Sequence, residues 1–265
     1  MTSRRRLQYT TFDVFTQTPF KGNPLAIVKV PKGFELSKND KQTIAREFNY
    51  SETVFFHASE HGPSPMGRID IFTITEELPF AGHPVIGTIC SIAPDASPEW
   101  RDDLILGTKA GMVRAAYDDR LSSAIARIPH DVHIHQDCLQ HSRVQGLQPN
   151  VEHDDMLDMW ASGSDGYTTF PVVSVVKGMT FILIGLPTNS GALQKLQTGR
   201  QLTYAKALNL DEQWLPSFVA PYYYEVLSEP SDNSLKIRAR MIGKHITRAL
   251  DLTSARAFSP REKII

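Results

Sequence analysis

The sequence predicts an α+β fold of two compact halves, each with a few short strands around one or two helices. Three observations lead there. Short β-forming runs outnumber helical patterns along the chain. Runs of both kinds occur in each half, and neither a low-complexity linker nor a short repeat interrupts them. The 265 residues suffice for one large domain or two small ones with a sizeable core.

Leu7 to Val14 contains β-formers and leads through residues 15–20 to the turn Lys21-Gly22-Asn23-Pro24, after which Leu25 to Val30 forms a second strand. Ser37-Lys38-Asn39-Asp40 resembles a capping box, with Asp in place of the usual Glu, and opens a helix through Ile44, Ala45 and Phe48. Residues 49–53 end that helix, and Val54-Phe55-Phe56 resumes as a strand. Arg68 to Thr75 alternates as another strand and delivers the chain to Gly82-His83-Pro84.

Leu104–Thr108 and Met112–Tyr117 form a pair around Ala110-Gly111, and Ser122 to Ile128 crosses toward the middle of the molecule. His130 to Thr168 is polar, rich in Asp and His, and is read as irregular or partly helical. Pro171–Val176 and Phe181–Ile184 make a hairpin around Lys177-Gly178. Leu193–Leu196 and Leu202–Leu208 are short helical patterns, and Phe218–Leu227 and Leu235–Met241 are late strands.

A net charge of −1 argues against a nucleic-acid partner, whose binder would carry a dominant basic face. The two cysteines, Cys90 and Cys138, give no disulfide framework and no paired metal-ligand spacing, which favours a reducing, cytoplasmic setting. The most apolar stretch, Phe170 to Pro187, is broken by Lys177-Gly178 and Thr180, so no membrane span is expected. Arg4-Arg5-Arg6 precedes a polar, alternating stretch rather than an apolar signal core.

The run Glu77-Leu78-Pro79-Phe80-Ala81-Gly82-His83-Pro84 carries the most chemical information. Gly82 permits a sharp turn, and Pro84 suits a first helical position, where its missing N–H costs nothing. Val85 to Cys90 is apolar enough for a buried helix. Such a helix start offers unpaired N–H groups to a carboxylate or phosphate, with His83 at the lip. A histidine merely packed in a turn is the plainer alternative. Gly22-Asn23-Pro24 reads as turn architecture.

Four signatures stand in order: Asp13-Val14-Phe15 with Pro19 to Pro24, Asn49 to Thr53, Glu77 to Pro84, and Ala110-Gly111-Met112-Val113. Together they resemble the phenazine-biosynthesis isomerase family, the PhzF-like proteins. The likeness is close over the first half and weaker through Gly178, Leu186 and Arg238 to Met241. It implies a diaminopimelate epimerase-like architecture, in which two pseudo-symmetric halves each wrap a sheet or half-barrel around a central helix. The halves are expected at 1–121 and 122–265, the first carrying the catalytic Glu and the Gly-His-Pro loop.

The resemblance also implies a role for Glu52, the acid of the family's Asn-x-Ser-Glu-Thr stretch. There it takes a proton from one substrate carbon and returns one at another, with no metal and no organic cofactor. Such a carboxylate needs a raised pKa, which an apolar cleft supplies by desolvation; Tyr50, Phe55 and Phe56 are candidate walls. A Glu capping or salt-bridging its helix end is the bland alternative. Gly82 and His83 would contact the substrate.

The family's second half carries a loop of the form Asp-Pro-Ala-Thr-Gly-Ser-Ala at its own central helix. Here the corresponding stretch, after Gly243, reads Lys244-His245-Ile246-Thr247-Arg248-Ala249-Leu250-Asp251. The second half is therefore expected to be incomplete, either truncated or divergent, and no residue there is carried over as catalytic.

His130, His133, His135, Cys138 and His141 invite a metal reading, with His133 and His135 on one strand face. They lack a Cys-x-x-Cys or helical His-x-x-x-His spacing, so surface or interface histidines are preferred and no metal ligand is assigned. Asp154, Asp155 and Asp158 read as a solvated face.

The expectation is a cofactor-independent isomerase or epimerase acting on a small, carboxylate-bearing metabolite in secondary-metabolite biosynthesis. A catalytically degenerate small-molecule-binding or scaffold protein of the same fold is the alternative. The partners implied are a small-molecule substrate and, by resemblance, a second copy in a homodimer.

Overall fold

A computed structural model describes residues 6–59, 67–98, 101–128, 130–157, 169–197, 208–227 and 236–242. These fall into two compact units, within Met1–Pro129 and His130–Glu262.

The first unit runs β1 (Gln8–Val14), β2 (Asn23–Val30), α1 (Lys38–Phe48), β3 (Glu52–Ala58), β4 (Gly67–Phe72), β5 (Glu77–Leu78), α2 (Gly82–Ile92), β6 (Leu104–Thr108), β7 (Gly111–Asp118) and β8 (Ser123–Arg127). They form an eight-stranded sheet in the order β1-β2-β3-β4-β6-β7-β8, with β5 against β4. Pairs β2–β3 and β4–β6 are parallel and the rest antiparallel.

Strand β2 is nearly continuous apolar sequence because both of its faces are covered. On one face Val28 and Val30 join Phe55, Phe72 and Ala45 under α1. On the other, α2 touches β1, β2, β3, β7 and β8. A single 11-residue helix can reach both edge strands only if the sheet curls around it, so the unit is a half-barrel with α2 at its centre. Val85, Ile86, Ile89 and Ile92 are buried there. Gly87 permits the close approach: a Cβ at that position would lie 2.5 Å from Leu25 Cδ2 and 2.8 Å from Val14 Cγ2.

Helix α1 starts as its sequence predicts. The Ser37 hydroxyl accepts from the Asp40 N–H at 3.1 Å, and Asp40 Oδ2 accepts from the Ser37 N–H at 3.1 Å, a closed capping box. It ends on Asn49 in the left-handed conformation, one of the few residue types that adopts it readily. Lys41 Nζ then ties the helix to the sheet through Asp70 Oδ2 at 2.5 Å.

The second unit runs β9 (His133–Gln140), α3 (His141–Leu147), β10 (Thr169–Val176), β11 (Met179–Leu186), α4 (Ala192–Lys195), β12 (Phe218–Val226) and β13 (Ile237–Met241). Its five strands are ordered β13-β12-β11-β10-β9, with β11 and β12 parallel. Phe170, Val172, Ile182, Ile184 and Tyr223 pack with Val144, Ala192 and Leu193 in one core.

Two segments differ from the sequence expectation. Ser123–Arg127, read as a crossing, is the edge strand β8; only Ala126 is buried, so apolar alternation is almost absent. His133–Gln140, read within an irregular region, is the edge strand β9, whose buried positions are His135 and Leu139. The Lys244–Asp251 stretch, the helical pattern up to residue 207 and Asp158 lie outside the described residues.

Candidate active site

Glu52 is the first residue of β3, and parallel pairing sets it opposite Leu25. Paired residues share a sheet face, and Leu25 touches α2 at Gly87. Register therefore turns the Glu52 carboxylate toward the central helix rather than toward α1. The same alternation sends Phe55 to the opposite face, where it packs edge-on against Phe72 at 5.6 Å. Tyr50 sits 6.2 Å from Phe48. Phe55 thus belongs to the α1 core and is not a wall of the Glu52 site.

Helix α2 begins two residues earlier than the proline suggests. Ala81 is the N-cap, in extended conformation, and Gly82 is already helical, so Pro84 is the third helical residue. Proline is free of cost here too, since the first N–H groups of a helix have no intrahelical acceptor. No side chain caps this end and no acid stands in its first turn. Val85 N–H reaches Ala81 O at 3.4 Å, so the amides this helix end can offer a ligand are those of Gly82 and His83. Gly82 is not needed for the backbone: a Cβ there would meet nothing within 4 Å. What its hydrogen side chain leaves is open space in front of the helix.

His83 projects from this first turn toward Glu52. Its Nε2 stands 3.4 Å from Glu52 Oε2, with both side chains 6% exposed. The geometry is not that of a hydrogen bond, and both atoms are buried without a partner. The ring hydrogen-bonds the Pro24 carbonyl oxygen, which leaves Nδ1 as the donor and Nε2 as a bare acceptor facing the acid.

Burial shifts the two groups in opposite directions. It raises Glu52 to about 7, against a weaker downward pull from the neighbouring Ser51 hydroxyl. It lowers His83 to about 4, although the Pro24 contact favours the charged ring. Near neutrality the pair therefore holds a neutral imidazole beside a carboxyl poised between its two protonation states. A group in that condition can both take and give a proton at the same pH.

The sequence-predicted residues Glu52, Gly82 and His83 thus meet in one place. The contributions of Pro24 and Ser51 were not legible as site features. Pro24 acts through a main-chain carbonyl, which no side-chain pattern reveals. The Gly22-Asn23-Pro24 turn is architecture as read: a Cβ on Gly22 would approach Val14 O to 2.3 Å, and Asp13 Oδ2 accepts from Phe20 N–H at 2.7 Å.

The chain has recognisable relatives among known proteins. An uncharacterized isomerase of Mesorhizobium japonicum is 34% identical over 174 residues, covering 63% of this chain and 56% of its own length. The trans-2,3-dihydro-3-hydroxyanthranilate isomerase of Pseudomonas aeruginosa is 35% identical over 120 residues, or 45% of this chain and 40% of that one. The chain spans about half the length of the curated relatives it matches.

Among solved structures, a predicted epimerase from Pseudomonas aeruginosa superposes with a TM-score of 0.60 at 19% identity, over 96% of this chain and 78% of that one. A probable proline racemase from Agrobacterium radiobacter gives 0.51 at 12% identity, over 89% and 71%. These two likenesses concern the fold alone. The family model described as phenazine biosynthesis-like protein matches residues 12–200, a span that holds the half-barrel from the end of β1 onward, Glu52 and the Gly82-His83 helix start, and the chain belongs to that family.

Proposed function

We propose that this chain is a cofactor-independent isomerase that moves a proton between carbons of a small, carboxylate-bearing metabolite, with Glu52 as acid and base. The observation that carries the proposal is the buried Glu52–His83 pair, with the carboxyl held near pH 7. In the carboxylate form Glu52 Oε2 takes a proton from a carbon acidified by a neighbouring unsaturated or carboxyl group. The resulting carboxylic acid then delivers a proton at another carbon. Between the steps, neutral His83 Nε2 accepts a hydrogen bond from the protonated acid and holds it in place. The substrate carboxylate lies against the Gly82 and His83 amides at the α2 start, in the space that Gly82 leaves open.

Secondary-metabolite biosynthesis is the setting suggested by the description of the family, phenazine biosynthesis-like protein. The substrate named for the Pseudomonas aeruginosa relative is the first probe. Incubation of trans-2,3-dihydro-3-hydroxyanthranilate with the protein in deuterated water should place solvent deuterium on a substrate carbon. Glu52→Gln should slow that exchange by about 10²–10⁴-fold, the usual worth of a general acid–base. Exchange at the wild-type rate in the variant would remove Glu52 from the mechanism.

A second reading is a catalytically silent small-molecule-binding protein. It is favoured by the stretch Lys244 to Asp251, where no Gly, Ser or Pro stands in place of the family's second loop. Saturable binding of small carboxylates, with no exchange in the wild type, would select it.

A further inference from the structure

Apart from the Glu52–His83 pair, His133, His135 and Asp211 bring three donor atoms within 4.8 Å of one another. The two histidines lie two residues apart on β9 and so on the same face, with ring centroids 4.8 Å apart and planes at 89°. Asp211 arrives from far along the chain, just before the 3₁₀ turn Glu212–Trp214. Its Oδ2 stands 2.5 Å from His133 Nε2 and 3.6 Å from His135 Nδ1. Placement of this carboxylate was not legible in sequence, and His135, expected at a surface, is 3% exposed.

The rings are held in place. His135 Nε2 lies 2.8 Å from Ser174 Oγ, which continues to Thr180 Oγ1 and Ser217 Oγ at 2.7 Å each. Its Nδ1 accepts from the Asp211 N–H at 3.2 Å. That fixes the tautomer with the proton on Nε2 and makes Nδ1 an acceptor beside the Asp211 carboxylate, its lone pair engaged by a long contact with the Asp211 N–H that a bound ion would displace toward solvent. His133 stacks on Trp214 at 4.8 Å and 8°, which fixes its plane. Support of each imidazole through its second nitrogen or its face is how proteins prepare metal ligands.

We propose that His133 Nε2, His135 Nδ1 and Asp211 Oδ2 bind one borderline divalent transition ion, zinc foremost, with water completing the coordination. Two imidazoles and one carboxylate suit zinc, and bonds of about 2.0–2.1 Å place tetrahedral donors about 3.3 Å apart. The observed 2.5 and 3.6 Å bracket that edge, and with all three donors within 4.8 Å of one another the two imidazole nitrogens close toward the ion on binding. On binding, the proton between His133 Nε2 and Asp211 Oδ2 leaves Nε2 for Nδ1 or for solvent, and the metal takes its place. The ion would pin the Glu212–Trp214 turn to β9.

The test is zinc titration of the full chain, stripped beforehand with a chelator, by calorimetry, with cobalt absorption reporting four-coordination. We expect one equivalent per chain and a Tm rise of about 5 °C or more at zinc about 100-fold above Kd. Asp211→Asn and His133→Asn, changes at half-buried side chains, should each weaken binding at least about tenfold while circular dichroism shows the fold intact. Glu52→Gln should bind zinc as the wild type does, which separates this site from the proposed activity. No saturable binding, or equal binding in both site variants, would reduce the cluster to a hydrogen-bonded network and overturn the proposal.

Discussion

Glu52 and His83 are 31 positions apart in sequence, and each has an ordinary alternative use: an acid at a helix end, a histidine in a turn. What makes them a pair is burial of two polar atoms that face each other at 3.4 Å without bonding. Their residue types were legible from the Asn49–Thr53 and Glu77–Pro84 stretches. The Pro24 carbonyl that sets the imidazole tautomer was not, because it belongs to the backbone. Gly82 shows the opposite error. Sequence assigns it a turn, whereas the structure gives it helical backbone and empty space where a Cβ would go. Gly82→Ala should therefore leave the fold intact and keep or slightly raise Tm, since alanine favours a helix by up to about 1 kcal/mol. If substrate occupies that space, KM for the carboxylate substrate should rise while Tm does not fall. A large loss of Tm would show that the glycine serves the backbone after all.

At the scale of elements, legibility followed the strength of the apolar pattern. Helix α1 was readable because a capping box and an amphipathic run agree, and α2 because eight of its 11 residues are buried. The hairpin β10–β11 announces itself through two apolar runs around Lys177-Gly178. Strands β8 and β9 were missed for one shared reason. Both are edge strands with one neighbour each, so few of their side chains are covered. In β9 the buried alternate positions include a histidine, and Ile134 is 55% exposed, which inverts the usual signal. Neither the half-barrel curl nor the meeting of Asp211 with β9 is written in local pattern. Both follow from long-range pairing, which periodicity does not encode.

For the molecule as a whole, the buried pair leaves a signature in stability against pH. Glu52 is raised to about 7 from its ordinary 4.5, so the folded chain keeps a proton that the unfolded chain has released. That contribution is complete below about pH 4.5 and is lost as pH rises through 7. His83 is lowered to about 4 from its ordinary 6.5, so its contribution is complete above about 6.5 and is lost as pH falls through 4. Each is worth ~3 kcal/mol, and between about pH 4.5 and 6.5 the two slopes cancel. Single substitutions should unmask them. Relative to the wild type, Glu52→Gln should gain stability in urea unfolding as pH rises from about 4.5 to 7. His83→Asn should gain it as pH falls from about 6.5 to 4. Wild-type and variant curves that run parallel across this range would show that the pair does not titrate as buried groups.

The central claim is that Glu52 is a carboxyl held near neutrality beside a neutral imidazole, and one substrate-free measurement reads it directly. Carbon-13 NMR of protein labelled at the glutamate side-chain carboxyl should show one resonance titrating with a midpoint near 7, absent from the Glu52→Gln spectrum. A Glu52 resonance that titrates near 4.5, as an ordinary glutamate does, would contradict the account.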